Sequence, residues 1–126
     1  MSRNHLLRIL AILAVGIAAL QLTAIAFSLY WTLWWYDILL HFLGGIFIGL
    51  LVLWLRFFSG YLGAAPILSK GEVLRFVLLA TLLIGIGWEV FEQLLGNTWS
   101  VEGYWLDTSI DVILDFLGGV VGFIFF

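Results

Sequence analysis

Acidic side chains and one histidine recur at helical spacing inside apolar segments of the sequence. Residues three or four positions apart share one face of a helix, so each group should project from a single face. Carboxylates and imidazole are expensive to place in apolar surroundings, and there they are typical of cation binding or proton transfer. The groups are Asp37 with His41, Glu89 with Glu92, and Asp107 with Asp111 and Asp115.

The residue types in these groups favour a divalent metal ion. One imidazole with several carboxylates suits Mg²⁺, Mn²⁺, Fe²⁺ or Ca²⁺, whereas a Zn²⁺ site usually has more histidines or cysteines. No pattern in the sequence indicates an organic cofactor. The predicted metal ligands are Asp37, His41, Glu89, Glu92, Asp111 and Asp115, with Asp107 as a further candidate.

Structural roles are the alternatives for these acids. The acids deeper in the apolar segments could form a hydrogen-bonded network that holds helices, or the subunits of a homo-oligomer, together. Asp37 and Asp107 could be stabilised by the dipole at a helix N-terminus. Glu102 is expected to be a solvated loop charge. Since no Lys or Arg lies near the acids, a buried network would depend on His41, bound protons or backbone donors.

The composition of the chain requires a membrane. Of its 126 residues, 64% are hydrophobic and only 10% are charged, which is too little polar surface for a water-soluble protein of this size. The sequence has no cysteine, so disulfides, thiolate zinc sites and thiol nucleophiles are excluded. Nothing in it indicates a nucleic-acid-binding surface; lipid is the expected partner.

Four apolar segments have the length of about 20 residues that a helix needs to cross a bilayer. The first is expected to be a retained anchor helix, because it is longer than the apolar part of a cleaved signal peptide, the alternative for this segment. The sequence therefore predicts an all-α bundle of four transmembrane helices forming a single domain over residues 1–126. The predicted spans are 6–29, 36–58, 73–95 and 108–126.

The basic residues predict how the chain is oriented. They lie before the first span and around the second connection, and the first and third connections have none. By the positive-inside rule, both termini and the middle connection are expected in the cytoplasm and the acidic groups toward the outside. The basic residues are Arg3, Arg8, Arg56, Lys70 and Arg75.

Two segments of the sequence resemble each other. Residues 37–45 and 111–119 share an initial Asp, a Leu, a Phe-Leu pair and a final Gly-Gly pair, while His41 aligns with Asp115. Both copies open a span that runs in the same direction, which favours two helical hairpins related by a twofold axis along the membrane normal. Chance similarity between two apolar segments is the alternative.

Several of these motifs, taken in order, resemble a known family. The chain resembles the YjdF-like inner-membrane proteins and, more distantly, the VanZ-like family. The YjdF-like resemblance implies a small protein of the plasma (inner) membrane without an established activity. The VanZ-like one implies a link to glycopeptide antibiotic tolerance, although Ile38 and Asp115 stand where that family commonly has a lysine and an asparagine. The matching motifs are Tyr36-Asp37-x3-His41-Phe42-x-Gly44-Gly45, Trp88-Glu89-x2-Glu92 and Asp107-Thr108-x2-Asp111-x3-Asp115-x2-Gly118.

Three functions fit this sequence. The first is metal-dependent chemistry on a lipid or lipid-linked headgroup, with one carboxylate as general base. The second is a proton or cation pathway, which would need polar residues that continue toward the cytoplasm. The third is a non-catalytic scaffold or binding protein whose acids form a structural network.

Overall fold

A computed structural model describes residues 1–65, 67–95 and 103–126, so the predicted loop position of Glu102 lies outside the described residues. Of the described residues, 84% are helical and none lies in a strand. Four of the helices are long and apolar enough to cross a membrane, which confirms the predicted all-α bundle. The helices are α1 (Arg3–Phe27), α2 (Leu29–Thr32), α3 (Tyr36–Phe57), α4 (Lys70–Leu95) and α5 (Tyr104–Phe125).

Three of the helices begin before their predicted apolar segments do. α1 begins at Arg3, three residues early, where the Ser2 hydroxyl caps it by accepting from the His5 amide at 3.4 Å. α4 begins at Lys70, three residues before the predicted span, because Ser69 and Glu72 form a reciprocal cap. The Ser69 amide and hydroxyl donate to Oε2 of Glu72 at 2.8 and 2.7 Å, and the Glu72 amide donates to the Ser69 hydroxyl at 3.3 Å. α5 begins at Tyr104, four residues before its predicted start. Hydropathy marks the apolar part of a helix, whereas its first turn is set by caps and is often polar.

Glycines let α3 and α5 pack with their backbones in close contact. A Cβ atom on Gly45 would overlap the backbone carbonyl of Asp115, and a Cβ on Gly118 would overlap that of Phe42. A Cβ on Gly49 would lie 3.1 Å from the Cα of Gly119. Small residues permit this approach in a membrane, where no hydrophobic force draws helices together. The two similar segments, 37–45 and 111–119, therefore lie on the two helices that pack most closely.

Of the three apolar clusters in the described residues, two lie away from the acidic side chains; the third, Ala24 with Tyr36 and Leu40, joins α1 to α3 near Asp37 and His41. One cluster joins α3 to α4 through Val52, Leu53, Val73 and Val77, and Leu53 and Val77 have no exposed surface. A second cluster joins α1 to α3 through Leu6, Leu10 and Leu50. No Cα atom of α1 lies within 8 Å of a Cα atom of α4 or α5. α1 is thus attached to the bundle through α3, and a gap remains between α1 and α4.

Candidate metal centre

Three helices bring the acidic side chains to one end of the bundle. α3 and α5 begin at this end and α4 ends there; it is called the acidic end below. Asp37 lies in the first turn of α3, where the helix dipole stabilises a negative charge, and His41 follows one turn later. Asp111 and Asp115 are the aligned residues of the second segment, but they lie in the second and third turns of α5, because α5 begins seven residues before Asp111. The contacts between Gly45 and α5 hold these turns side by side.

His41 lies at the centre of the acidic group, and its side chain is only 8% exposed. Its Nε2 atom lies 3.7 Å from Oδ1 of Asp37 and 3.7 Å from Oδ2 of Asp111. Oε1 of Glu89 on α4 lies 4.0 Å from the same nitrogen. One ring nitrogen therefore faces a carboxylate from each of three helices.

The Glu89 carboxylate has one oxygen with a hydrogen-bond partner and one without. Oε2 accepts a hydrogen bond from the Thr108 hydroxyl at 2.9 Å. Oε1 is fully buried and has no hydrogen-bond partner, and Glu89 as a whole is only 6% exposed. A buried polar atom without a partner costs about 1–3 kcal/mol, and more if it is charged. A cation or a bound proton between Oε1 and Nε2 of His41 would supply the missing partner.

Asp115 lies on the other side of the imidazole. Its Oδ1 atom is 3.4 Å from Nδ1 of His41, and the residue is 4% exposed. Gly85 of α4 leaves room for this carboxylate, because a Cβ at that position would lie 2.7 Å from Oδ2. A carboxylate at Nδ1 keeps the proton on that nitrogen and leaves Nε2 free to bind a metal ion.

The spacing of these atoms fits one divalent ion. Ligand atoms of Asp37, His41 and Asp111 all lie within 4.8 Å of one another. Two ligands of the same ion can be separated by at most twice the bond length, which is about 4.2 Å for Mg²⁺ and about 4.8 Å for Ca²⁺. The 3.7 Å distances from Nε2 to Asp37 and to Asp111 satisfy both limits, and the 4.8 Å bound on the whole group equals the limit for Ca²⁺. Glu89 does not belong to this group. Carboxylates suit Mg²⁺, Ca²⁺ and Mn²⁺, whereas imidazole suits Fe²⁺ and Zn²⁺, so this mixed donor set is compatible with several divalent ions.

A cleft of about 350 Å³ reaches the acidic end from the gap between α1 and α4. Its deeper part is lined by apolar side chains of α1, α3 and α4, and its polar part by Asp37, His41, Glu92 and Asp115. Tyr30 of α2 and Gln21 of α1 also line the cleft, and the Tyr30 hydroxyl donates a hydrogen bond to Oε1 of Gln21. Burial and the nearby Asp37 charge raise the pKa of Tyr30, so this hydroxyl stays protonated.

The remaining predicted ligands lie outside the group around Nε2. Glu92 is partly buried in the cleft wall, and Asp107 is exposed in the first turn of α5. The structure thus brings together Asp37, His41, Glu89 and Asp111, with Asp115 behind the imidazole.

A family model described as "Predicted membrane protein (DUF2238)" matches residues 2–126. The chain belongs to this family. The match confirms a membrane-protein family over nearly the whole sequence, while the YjdF-like and VanZ-like resemblances stay predictions. No curated protein and no solved structure matches the chain significantly.

Two polar contacts at the acidic end were not predicted from the sequence. Thr108 holds Glu89, and its signal was its place one turn before Asp111, on the same face of α5. The contact of Tyr30 with Gln21 was the second, and Gln21 was recognisable as a polar residue in the middle of the first span.

Proposed function

We propose that this membrane protein binds one divalent metal ion at the acidic end and uses it in chemistry on a lipid or lipid-linked headgroup. The ligands are His41 through Nε2, Asp37 and Asp111, whose ligand atoms form one compact group. Glu89 lies beside this group as a further carboxylate, and Asp115 orients the imidazole. A divalent ion at such a position would polarise a phosphoryl or carbonyl oxygen. The basic residues at the opposite helix ends favour an acidic end that faces outward from the plasma membrane.

The observation that carries this proposal is the unpartnered Oε1 of Glu89 beside Nε2 of His41. Three carboxylates around one buried nitrogen carry up to three negative charges. The single positive charge of an imidazolium would not balance them. A divalent ion at this point would offset two negative charges and provide Oε1 with a partner. The cleft supports the lipid part of the proposal, because it links the acidic end to the gap between α1 and α4.

The part of the bundle below the acidic end gives little support to proton or cation translocation. Thr81 is the next buried polar side chain of α4, and its hydroxyl is already bonded to the carbonyl of Val77 at 2.8 Å. Beyond it, the described part of the bundle is closed by the cluster of Val52, Leu53, Val73 and Val77. A proton or cation path within one chain would need polar groups at this depth.

The metal-site and structural-network hypotheses predict different effects of replacing a carboxylate with an amide. An amide preserves much of the hydrogen bonding of a carboxylate but is a poor ligand for a hard cation. Asp111→Asn should therefore remove metal-dependent activity while leaving a structural network largely intact.

The test of the function is lipid turnover in vesicles. Purified protein would be reconstituted with a defined mixture of phospholipids, and the lipids would be followed by mass spectrometry with Mg²⁺ or Mn²⁺ and with a chelator. Metal-dependent conversion of a headgroup is expected for the wild type and for Asp107→Asn, whose carboxylate is exposed on the same helix as Asp111. His41→Gln and Asp111→Asn should be inactive. Turnover that survives chelation or either substitution would refute the metal-dependent mechanism.

A further inference from the structure

The gap between α1 and α4 gives the acidic end an opening toward the side of the bundle. α1 contacts α3 but approaches neither α4 nor α5, so the cleft lies between two helices that do not pack together. Ile17 of α1 and Ile84 of α4 are among its lining residues, and Ile84 is 46% exposed. An opening between two transmembrane helices faces lipid, so the molecules that reach it are lipids.

The walls of the cleft change in character along its length. Leu40, Phe47 and Ile48 of α3, together with Ile17 and Ile84, form an apolar part that suits a hydrocarbon chain. Mostly apolar pockets with a few convergent polar groups are typical ligand sites. The polar part begins where His41 and Asp115 line the same cleft, so a ligand that fills it has both an apolar chain and a polar head.

The negative charge of the polar part of the cleft determines which lipid headgroups it could bind. Asp37, Glu92 and Asp115 line it, whereas the five Lys and Arg residues of the sequence all lie toward the opposite ends of their helices. An anionic headgroup such as glycerol phosphate would meet like charges. A headgroup with an ammonium group would meet a carboxylate, and the rings of Tyr30 and Trp88 in the same wall also attract cations.

Glu92 is the carboxylate placed to pair with this ammonium group; it accepts a hydrogen bond from Trp88, which leaves further lone pairs for a second partner. It lines the cleft but lies outside the cluster around Nε2 of His41. A headgroup that holds phosphate and ammonium side by side could present its ammonium to Glu92 and its phosphate to the ion at His41.

We propose that the cleft binds one aminophospholipid, with an acyl chain between α1 and α4 and the headgroup ammonium at Glu92. This inference rests on the proposed function, since it names the lipid class for the same site. The acyl-chain and ammonium contacts do not involve the metal, so these two parts of lipid binding can be measured in metal-free protein.

The test is native mass spectrometry of chelator-treated protein with phosphatidylethanolamine and phosphatidylglycerol at equal concentration. The wild type should retain one phosphatidylethanolamine per chain. Ile84→Trp fills the cleft and should abolish retention, whereas Leu83→Trp, on the neighbouring and more exposed position, should not. Glu92→Gln should lower the preference for phosphatidylethanolamine at least about tenfold, as expected for loss of a desolvated ion pair.

A second pair of variants keeps the test decisive if a substitution on α4 disturbs folding. Ile17→Trp blocks the cleft from α1, and Val15→Trp on the exposed part of the same helix is its control. Equal retention in blocked and control variants, no retained lipid in the wild type, or a preference for phosphatidylglycerol would overturn the inference. The metal content of the same samples, measured before chelation, separates this outcome from failure of the metal site.

Discussion

At the residue scale, the two nitrogens of His41 have different surroundings. Nε2 faces Asp37, Asp111 and Glu89, and Nδ1 faces Asp115. The carboxylate at Nδ1 fixes the ring and makes it a better ligand, which is the usual role of a group behind a metal-binding histidine. In the proposed site, Asp115 would therefore act on the metal through His41.

Asp115→Asn should weaken metal binding without abolishing it. The amide oxygen can still accept from Nδ1, but the negative charge is lost, and such changes lower metal affinity by about 10–100-fold. The measurement is a competition titration against a fluorescent chelator. Asp107→Asn is the control because its side chain is exposed. An unchanged affinity in Asp115→Asn would contradict the role assigned to Asp115.

Thr108→Val should destabilise the metal-free protein. Valine has nearly the same shape as threonine, but it removes the donor to Oε2 and leaves both oxygens of the buried Glu89 carboxylate without partners. The expected cost is about 1–3 kcal/mol, measured by unfolding in mixed detergent micelles. Thr23→Val is the matched control, because the Thr23 hydroxyl is exposed and donates only to the carbonyl of Ala19. Equal stability of the two variants would argue against this contact.

At the element scale, the site depends on how closely α3 and α5 approach each other. Gly45 and Gly118 are positions where a Cβ would overlap the backbone of the other helix. The same contact sets the relative height of His41 and Asp111, since Gly45 lies one turn below the histidine. Packing and site geometry are therefore coupled through the spacing of the two helices.

Gly45→Ala should destabilise the bundle by about 1–3 kcal/mol, because overfilling a packed contact forces the helices apart. Gly87→Ala on α4 is the control, since a Cβ there meets nothing within 4 Å. Alanine is the better helix former, so the control should be neutral or slightly stabilising. Unfolding in detergent would measure both, and a Gly45→Ala protein as stable as the control would refute the close contact.

At the scale of the whole molecule, the sequence predicts the bundle well because each span is a long apolar segment, a property of local composition. The group of Asp37 and His41 was also predictable, since four residues make about one helical turn. The sequence did not predict how the carboxylates are distributed between the two nitrogens of His41. Which carboxylate faces Nε2 and which faces Nδ1 depends on the glycine contacts between α3 and α5.

The direction of the Glu92 side chain was also not predictable from the sequence. It follows Glu89 by three residues, which is about 60° short of a full turn, so the two carboxylates point in different directions. Only the position of α1 shows that this direction leads into a cleft. Likewise, hydropathy could not show that α1 would contact α3 but neither α4 nor α5.

The orientation of the molecule can be tested directly because the sequence has no cysteine. Trp34→Cys and Tyr61→Cys place single thiols in the first and second connections, where the native side chains are 81% and 82% exposed. A membrane-impermeant maleimide on intact cells should label Trp34→Cys, and it should label Tyr61→Cys only after permeabilisation. The reverse pattern would place the acidic end in the cytoplasm.

The proposed metal site at His41 and its surrounding carboxylates can be tested by elemental analysis of detergent-purified wild type, His41→Ala and Asp111→Asn, with thermal unfolding before and after chelation. We expect one divalent ion per wild-type chain and less ion in both variants. The wild type should be stabilised by about 2.7 kcal/mol when the free metal is 100 times its Kd. Wild-type protein without bound metal, and with unfolding that neither chelator nor added metal changes, would contradict the proposed metal site.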